Sequence, residues 1–145
     1  LNDGAAFLIL ASRQFCQRSA SLKPIGKVLA SACTGGNPDY SPETAVSAVE
    51  SLLMRTDRKM EEIDALECNE AFAVIDELVI RKYPGIRERY NLFGGALAYG
   101  HPYGASGAII SLHLLQALQT HNGRYGIAAV AASGGVGTAV LYERI

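Results

Sequence analysis

Residues 94–121 have the sequence GGALAYGHPYGASGAIISLHLLQALQTH, in which a glycine-rich loop runs directly into an apolar segment. In residues 105–121 the apolar side chains cover nearly the whole circumference of a helix. A helix that is apolar on most sides is buried on most sides. The segment therefore predicts a long helix that lies between layers of a larger fold.

Strands and helices alternate on both sides of this segment. Ser41 is the predicted N-cap of an earlier helix and Pro42 its first helical residue. The alternation indicates an α/β fold with a mixed β-sheet of about four to five strands and helices on both faces. In chain order, the predicted elements are a strand at 23–32, a helix at 41–55, a strand at 63–68, helices at 70–83 and 105–121, and strands at 125–132 and 138–142.

Composition excludes several classes of partner. A net charge of −1 over 145 residues argues against nucleic-acid binding, and no apolar stretch reaches the ~20 residues of a membrane-spanning helix. Cys16, Cys33 and Cys68 have the spacing of neither a zinc site nor a redox motif, and no other group of metal ligands is recognisable. We therefore expect a cytoplasmic protein that interacts with neither nucleic acid nor membrane and holds no metal or bound cofactor.

The chain opens with Leu1-Asn2-Asp3-Gly4 and continues into an apolar run at residues 5–10 without a turn or cap. Such a run predicts a strand that belongs with sequence further upstream. We therefore expect the chain to be a fragment or an excised domain.

Three segments fall where strands meet helices or each other, which is where ligands bind in open α/β folds. They are CNEAFA at residues 68–73, GGALAYGHPYGASGA at 94–108 and AASGGVG at 131–137. In this order and spacing they resemble the thiolase family. The resemblance implies that residues 1–22 are the last strand and following helix of the family's N-terminal domain. It also implies that residues 23–145 are the C-terminal domain, one half of a duplicated, layered architecture.

The resemblance also implies a function. Thiolases are CoA-dependent acyltransferases that catalyse Claisen condensation of thioesters or thiolysis of 3-ketoacyl-CoA, so the implied substrate is a coenzyme A thioester. The nucleophilic cysteine of the family lies in the N-terminal half, which this chain lacks. We therefore expect residues 1–145 to be inactive alone, and the full-length protein to be a homo-oligomer.

His101 is the first candidate catalytic residue. It lies in a glycine-rich turn before a helix, where the positive end of the helix dipole disfavours the imidazolium form and keeps a neutral ring available as a base. In thiolases the matching histidine activates the nucleophilic cysteine and helps to bind the thioester oxygen. His113 and His121 lie in no such motif, and we assign them structural roles.

Asn69 is the second candidate. It ends a predicted strand and begins a helix, so its side chain can cap the helix or hold a water. On resemblance, the asparagine positions a water that hydrogen-bonds the developing oxyanion. Glu70 suits the first turn of the helix, and Ser106 is predicted to cap the helix that follows His101.

Cys68 adjoins Asn69, but successive side chains of a strand point to opposite faces. If Asn69 faces the site, then Cys68 faces the core as a buried structural thiol. We give Cys16 and Cys33 the same assignment.

The last segment resembles the family's Cys-x-Gly-Gly-Gly-x-Gly loop. On resemblance, that cysteine shuttles the proton at the substrate α-carbon, and a backbone N–H of the loop completes an oxyanion hole. Here Ala131 occupies the cysteine position and Ser133 that of the first glycine. Ser133 retains its N–H, but a requirement for positive φ at this position would strain the loop.

The loss of the second cysteine leaves alternatives open. The parent protein is either an acyltransferase in spite of the loss, or a degenerate homologue that serves as a binding or assembly subunit. A third alternative is a condensing enzyme that forms its carbanion by decarboxylation and so has less need of an α-proton base.

Overall fold

A four-stranded mixed sheet forms the centre of the molecule, which is a computed structural model described for residues 1–19 and 21–145. Its strands are β1 (Gly26–Gly35), β2 (Ala65–Cys68), β3 (Tyr125–Ala132) and β4 (Val136–Arg144), in the order β1-β4-β3-β2. β1 and β3 both pair antiparallel with β4, and β2 pairs parallel with β3. The predicted α/β class and mixed sheet are confirmed.

Helices cover both faces of this sheet, as predicted. The α-helices are α1 (Arg13–Arg18), α2 (Glu43–Arg55), α3 (Ala73–Lys82), α4 (Ala96–Tyr99) and α5 (Ser106–Thr120). Short 3-10 helices lie at Pro38–Tyr40, Met60–Glu62 and Pro84–Arg89. Across residues 1–19 and 21–145, no helix is both long and apolar enough to span a bilayer.

Two apolar cores lie on opposite sides of the sheet. The larger core, on the side of α2 and α3, includes Leu52, Leu66, Ile75 and Leu141. The smaller core lies under α5 and comprises Ala65, Ile110, Leu114, Ala117, Leu118 and Ala128. Because neighbouring residues of β2 contribute to opposite cores, the side-chain direction along this strand is fixed by burial.

One face of α5 is less buried than its sequence predicts. Ile110, Leu114 and Leu118 are at most 1% exposed, whereas Ile109 and Leu112 are only partly buried. Within this chain α5 packs against a single sheet, so one side of an almost entirely apolar helix is left incompletely covered. The prediction of burial on most sides is therefore wrong for this chain by itself.

The start of the chain also differs from its prediction. Residues 1–12 form neither strand nor helix, although α1 follows them as expected. A strand needs a partner to form its hydrogen-bond ladder, and residues 5–10 pair with none of the strands that the structure describes. Asn2 instead donates from Nδ2 to Tyr99 O at 3.1 Å, which places this segment beside the glycine-rich loop.

Ser41 is not the N-cap of α2. Pro42 occupies the cap position without a side-chain hydrogen bond, and Ser41 Oγ donates to Pro38 O at 2.7 Å. Ser41 Oγ also accepts a hydrogen bond from Gly135 N at 3.0 Å. The hydroxyl thus joins the start of α2 to the β3–β4 hairpin. Ser41 and Gly135 are 94 residues apart in the chain, so the local sequence does not reveal this contact.

Candidate active site

Asn69 lies immediately after β2, at the carboxyl end of the sheet's parallel pair. Its N–H donates to Ala129 O at 2.9 Å and continues the β2–β3 ladder by one residue. Its side chain is only 2% exposed, and Cys68 beside it belongs to the larger core on the other face. The predicted alternation at Cys68 and Asn69 is therefore confirmed.

His101 is held in a tight turn between α4 and α5. Gly100 precedes it with φ of 100°, a conformation that favours glycine. After it, Pro102 O accepts hydrogen bonds from Ala105 N at 2.8 Å and Ser106 N at 3.0 Å. The turn brings Ser106 back to the imidazole, with His101 Nδ1 and Ser106 Oγ only 2.6 Å apart.

The Ser106 contact fixes the tautomer of His101. Ser106 has one hydroxyl proton, which it donates to Pro102 O at 3.0 Å. Oγ therefore accepts the hydrogen bond from His101 Nδ1–H. In the neutral ring this leaves Nε2 with a free lone pair, the form that a general base requires.

That lone pair is directed towards Asn69. Asn69 Nδ2 lies 3.5 Å from His101 Nε2, so the end of β2 and the turn before α5 meet at one place. The pKa of His101 is lowered from its ordinary value, with burial as the largest cause. The neutral form is thus favoured, as expected from the sequence, and burial of the imidazole is the largest cause.

Ser106 is the residue of this site whose role the sequence argument missed. The N-cap of α5 is Ala105, and Ser106 is the first helical residue, so its predicted capping role is wrong. The hydroxyl is 3% exposed and orients the imidazole instead. The signal for this role is the Gly-His-Pro sequence itself, because a turn at Pro102 returns the chain to His101 within five residues.

Glu70 joins the two loops of the site. It lies before α3, which begins only at Ala73, so its predicted place in the first helical turn is wrong. Its carboxylate accepts from Asn91 Nδ2 at 2.9 Å and from Leu97 N at 3.0 Å. A Cβ at Gly95 would overlap this carboxylate, which explains the glycine there.

In the described part of the chain, the His101 ring has hydrogen-bond contacts to Asn69 and Ser106 but to none of the three cysteines. Burial raises the pKa of the Cys68 thiol well above its usual range, so Cys68 is protonated at neutral pH. Cys16 is partly buried. Cys33 is exposed on β1, 3.6 Å from Thr138 Oγ1, so its assignment as a buried thiol is wrong.

The remaining histidines stand apart from this site. His121 is an exposed residue at the end of α5. His113 is partly buried and contacts the ring of Tyr99 edge-on, with 5.1 Å between ring centroids.

Ala131 and Ser133 lie at the end of the β3–β4 hairpin. Ala131 pairs with Gly137 and packs, partly buried, against the larger core. Gly134 and Gly135 adopt positive φ of 88° and 74°, whereas Ser133 does not, so serine causes no backbone strain here. Ser133 is exposed, and its N–H forms no hydrogen bond within the described part of the chain.

Comparison with known proteins identifies the family. The family model described as "Thiolase, C-terminal domain" matches residues 22–144. The chain belongs to the thiolase family. The predicted resemblance to this family is confirmed.

Thiolase relatives align with the chain over its whole length. "Acetyl-CoA acetyltransferase" of Synechocystis sp. is 41% identical over 145 residues, which are 100% of this chain and 36% of that protein. "Acetyl-CoA acetyltransferase, cytosolic" of Rattus norvegicus is 33% identical over 144 residues, 99% of this chain and 36% of that protein. The chain thus spans about a third of the length of these relatives.

Solved thiolase structures share the fold. Acat5 thiolase from Ascaris suum in complex with coenzyme A superposes with a TM-score of 0.86 at 37% identity, covering 93% of this chain and 35% of that one. Human mitochondrial 3-ketoacyl-CoA thiolase gives a TM-score of 0.88 at 29% identity, covering 93% and 34%. The layered thiolase-like fold expected from the sequence is therefore confirmed.

Proposed function

We propose that this chain is the C-terminal part of a thiolase-type acyltransferase that condenses coenzyme A thioesters or cleaves 3-ketoacyl-CoA. The observation that carries the proposal is the arrangement of His101: Ser106 holds Nδ1 at 2.6 Å, and Nε2 lies 3.5 Å from Asn69 Nδ2. A neutral imidazole with a free Nε2 can accept the proton of a thiol, and the amide can bind a water or an oxyanion.

The chain supplies the base but no thiol for it. In the residues that the structure describes, Cys68 faces the larger core and Cys33 lies on the edge strand β1. We therefore assign the nucleophilic cysteine to the part of the protein that precedes this chain. Residues 1–22 are proposed to belong to that N-terminal domain, and residues 23–145 to form the C-terminal one.

The incompletely covered side of α5 agrees with this division. Ala108, Ile109 and Leu112 are apolar and only partly buried, and further apolar surface is exposed nearby at Leu97. In the full-length protein we propose that the N-terminal half packs against this side, and that the protein is a homo-oligomer located in the cytoplasm.

Residues 1–145 alone should therefore be inactive. We expect no thiolysis of acetoacetyl-CoA above the buffer control, because the base has no thiol to activate, and measurable thiolysis by the full-length protein. The measurement is the loss of the 3-ketoacyl thioester absorbance with free coenzyme A present. Thiolase-like turnover by residues 1–145 alone would contradict this division of labour.

Ala131 favours a second candidate function, a degenerate thiolase that acts as a binding or assembly subunit. A methyl group cannot carry the proton that, on resemblance to the family, a cysteine at this position shuttles. Ser133 N–H, which is free to donate, remains available to an oxyanion, and such a donor contributes about 2.7–4 kcal/mol to catalysis. The two candidates therefore differ in whether the full-length protein still catalyses thiolysis.

The Ala131→Cys substitution separates these candidates. In the full-length protein we expect it to raise kcat for thiolysis at least ~10-fold, since general acid–base groups typically contribute 10²–10⁴-fold. Thr120→Cys is the matched control, because it adds an exposed thiol at the end of α5, away from the site.

Equal and strong activity before and after Ala131→Cys would mean that another group performs the proton transfer. Absence of activity in both proteins would contradict the acyltransferase proposal and favour the binding subunit.

A further inference from the structure

Three buried side-chain atoms lack a hydrogen-bond partner among the described residues: Glu67 Oε2, Asn69 Oδ1 and His113 Nδ1. The first two lie in one short segment. Glu67 of β2 and Asn69, which continues its ladder by one residue, have side chains on the α5 side of the sheet, whereas His113 of α5 contacts Tyr99. Buried polar atoms are nearly always paired in native proteins, so a group of unpaired atoms in one region requires an explanation.

The hydrogen bonds of the candidate site form a chain of donors from Asn69 to Pro102. At the Asn69 end of this chain, the amide oxygen is left without a donor among residues 1–19 and 21–145. Ser106 donates to Pro102 O, His101 Nδ1 donates to Ser106 Oγ, and Asn69 Nδ2 is directed at His101 Nε2. With its NH₂ group directed at the imidazole, Asn69 presents Oδ1 to the protein interior, where this acceptor has no partner. A donor at Oδ1 would fix the amide in this orientation.

Glu67 is in the right place to be that donor. It precedes Asn69 by two residues on the same strand face, which separates the two Cα atoms by about 7 Å. The longer Glu67 side chain can extend across this separation and bring its carboxyl group within about 3 Å of the amide oxygen, the distance of an O–H···O hydrogen bond. Oε1 of Glu67 accepts from Leu92 N at 3.2 Å, whereas Oε2 is buried and unpaired and can carry a proton.

The surroundings of Glu67 favour its protonated form. Burial raises its pKa from 4.5 to about 7; the Leu92 N–H lowers the pKa and the nearby charge of Glu70 raises it. Other titratable groups on this side are Tyr99, whose pKa is raised by burial and by the charges of Glu67 and Glu70, His113, which contacts Tyr99, and Tyr142, which donates to Ser111 Oγ of α5. Cys68 adjoins Glu67 in sequence but faces the larger core. A carboxylate only accepts hydrogen bonds, so only the protonated acid can donate directly to Oδ1.

We propose that Glu67 is a positioning residue: its protonated side chain donates directly to Asn69 Oδ1 and thereby keeps Asn69 Nδ2 directed at His101. The kinetic consequence rests on the proposed function, whereas the contact itself does not. Deprotonation of Glu67 removes the donor and releases the amide, so the site is expected to weaken as the pH rises.

The kinetic test uses the full-length protein and three variants. Glu67→Gln keeps a permanent donor, Glu67→Leu removes it, and Glu61→Gln is the matched control at an exposed glutamate. We expect Glu67→Leu to lower kcat ~10- to 100-fold with KM nearly unchanged, the usual effect of a misplaced catalytic group. The wild-type kcat should fall relative to that of Glu67→Gln by about threefold or more between pH 6 and 8.5, because the wild type loses its donor near pH 7.

A spectroscopic test is independent of activity. In protein labelled with ¹⁵N-asparagine, the side-chain amide signals of Asn69 should shift with a midpoint near pH 7 in the wild type and Glu61→Gln, and this step should be absent in Glu67→Gln. The Asn69→Ser variant assigns the signals. If the full-length protein proves inactive in thiolysis, the proposed function fails while this measurement still tests Glu67.

Two results would overturn the inference. One is a pH profile of kcat that has the same shape in the wild type and in Glu67→Gln. The other is an Asn69 amide signal that responds to pH identically in both. If Glu67→Leu does not fold, these comparisons with Glu67→Gln decide the matter alone.

Discussion

Replacing His101 by alanine in the full-length protein should lower kcat for acetoacetyl-CoA thiolysis by about 10²- to 10⁴-fold, the usual contribution of a general base. The reason is the free Nε2 lone pair, which the Ser106 hydrogen bond secures by holding the proton on Nδ1. Without the imidazole, a nucleophilic thiol of pKa about 8.5 is only slightly ionised at neutral pH. KM should change much less than kcat.

The control for this substitution is His121→Ala, which removes an exposed imidazole at the end of α5 and should leave kcat unchanged. Ser106→Ala should give an intermediate loss, because it keeps the base but frees both its tautomer and its orientation. A His101→Ala protein that retains more than about a tenth of the wild-type kcat would contradict the role of His101 as base.

The pH dependence of the site follows from the burial of His101. The pKa of His101 is lowered, so the neutral base persists to lower pH than for an ordinary histidine. Activity limited by this group is therefore lost only as the pH falls through that lowered pKa. The effect of Glu67 has the opposite sign, since its donor is lost as the pH rises.

The sequence predicts the elements of this fold well where the signal is local. The apolar run of α5, the alternating residues of β2 and the glycines of the β3–β4 turn each specify their own structure over a few residues. The pair of Asn69 and His101 is also predictable, because each lies in a long motif whose position between two elements indicates a site.

The features that sequence analysis missed depend on contacts between distant segments. Ser106 has the position of a capping residue, but the turn at Pro102 directs its hydroxyl to His101. Ser41 contacts the hairpin 94 residues away, and Glu70 contacts Asn91 and Leu97. A local sequence pattern cannot show which distant group forms a hydrogen bond with a polar side chain. The pattern of β2 places Glu67 on the strand, but only the fold shows that its carboxyl group is buried beside the site.

Among the substitutions proposed here, we expect Gly137→Ala to destabilise the fold most. The first turn of α2 lies directly on the hairpin, with Thr44 Oγ1 2.9 Å from Val136 O. The loop before α2 is also joined to the hairpin, because Gly36 N donates to Gly135 O at 2.7 Å. A Cβ at Gly137 would lie 2.5 Å from the Thr44 carbonyl carbon and would overlap its oxygen. Both atoms are backbone, so no side-chain rotation relieves the overlap.

The overlap must be relieved by moving the start of α2 away from β4, and overpacking of this kind costs about 1–3 kcal/mol or more. Gly35→Ala is the matched control, since it adds the same methyl group on the neighbouring strand where nothing lies within 4 Å. Urea unfolding of the two variants should therefore give a lower midpoint for Gly137→Ala and a nearly unchanged one for Gly35→Ala. Because Gly137 pairs with Ala131, the displaced hairpin should also lose thiolysis activity under conditions in which the variant remains folded. Equal midpoints for the two variants would show that α2 does not depend on this close approach.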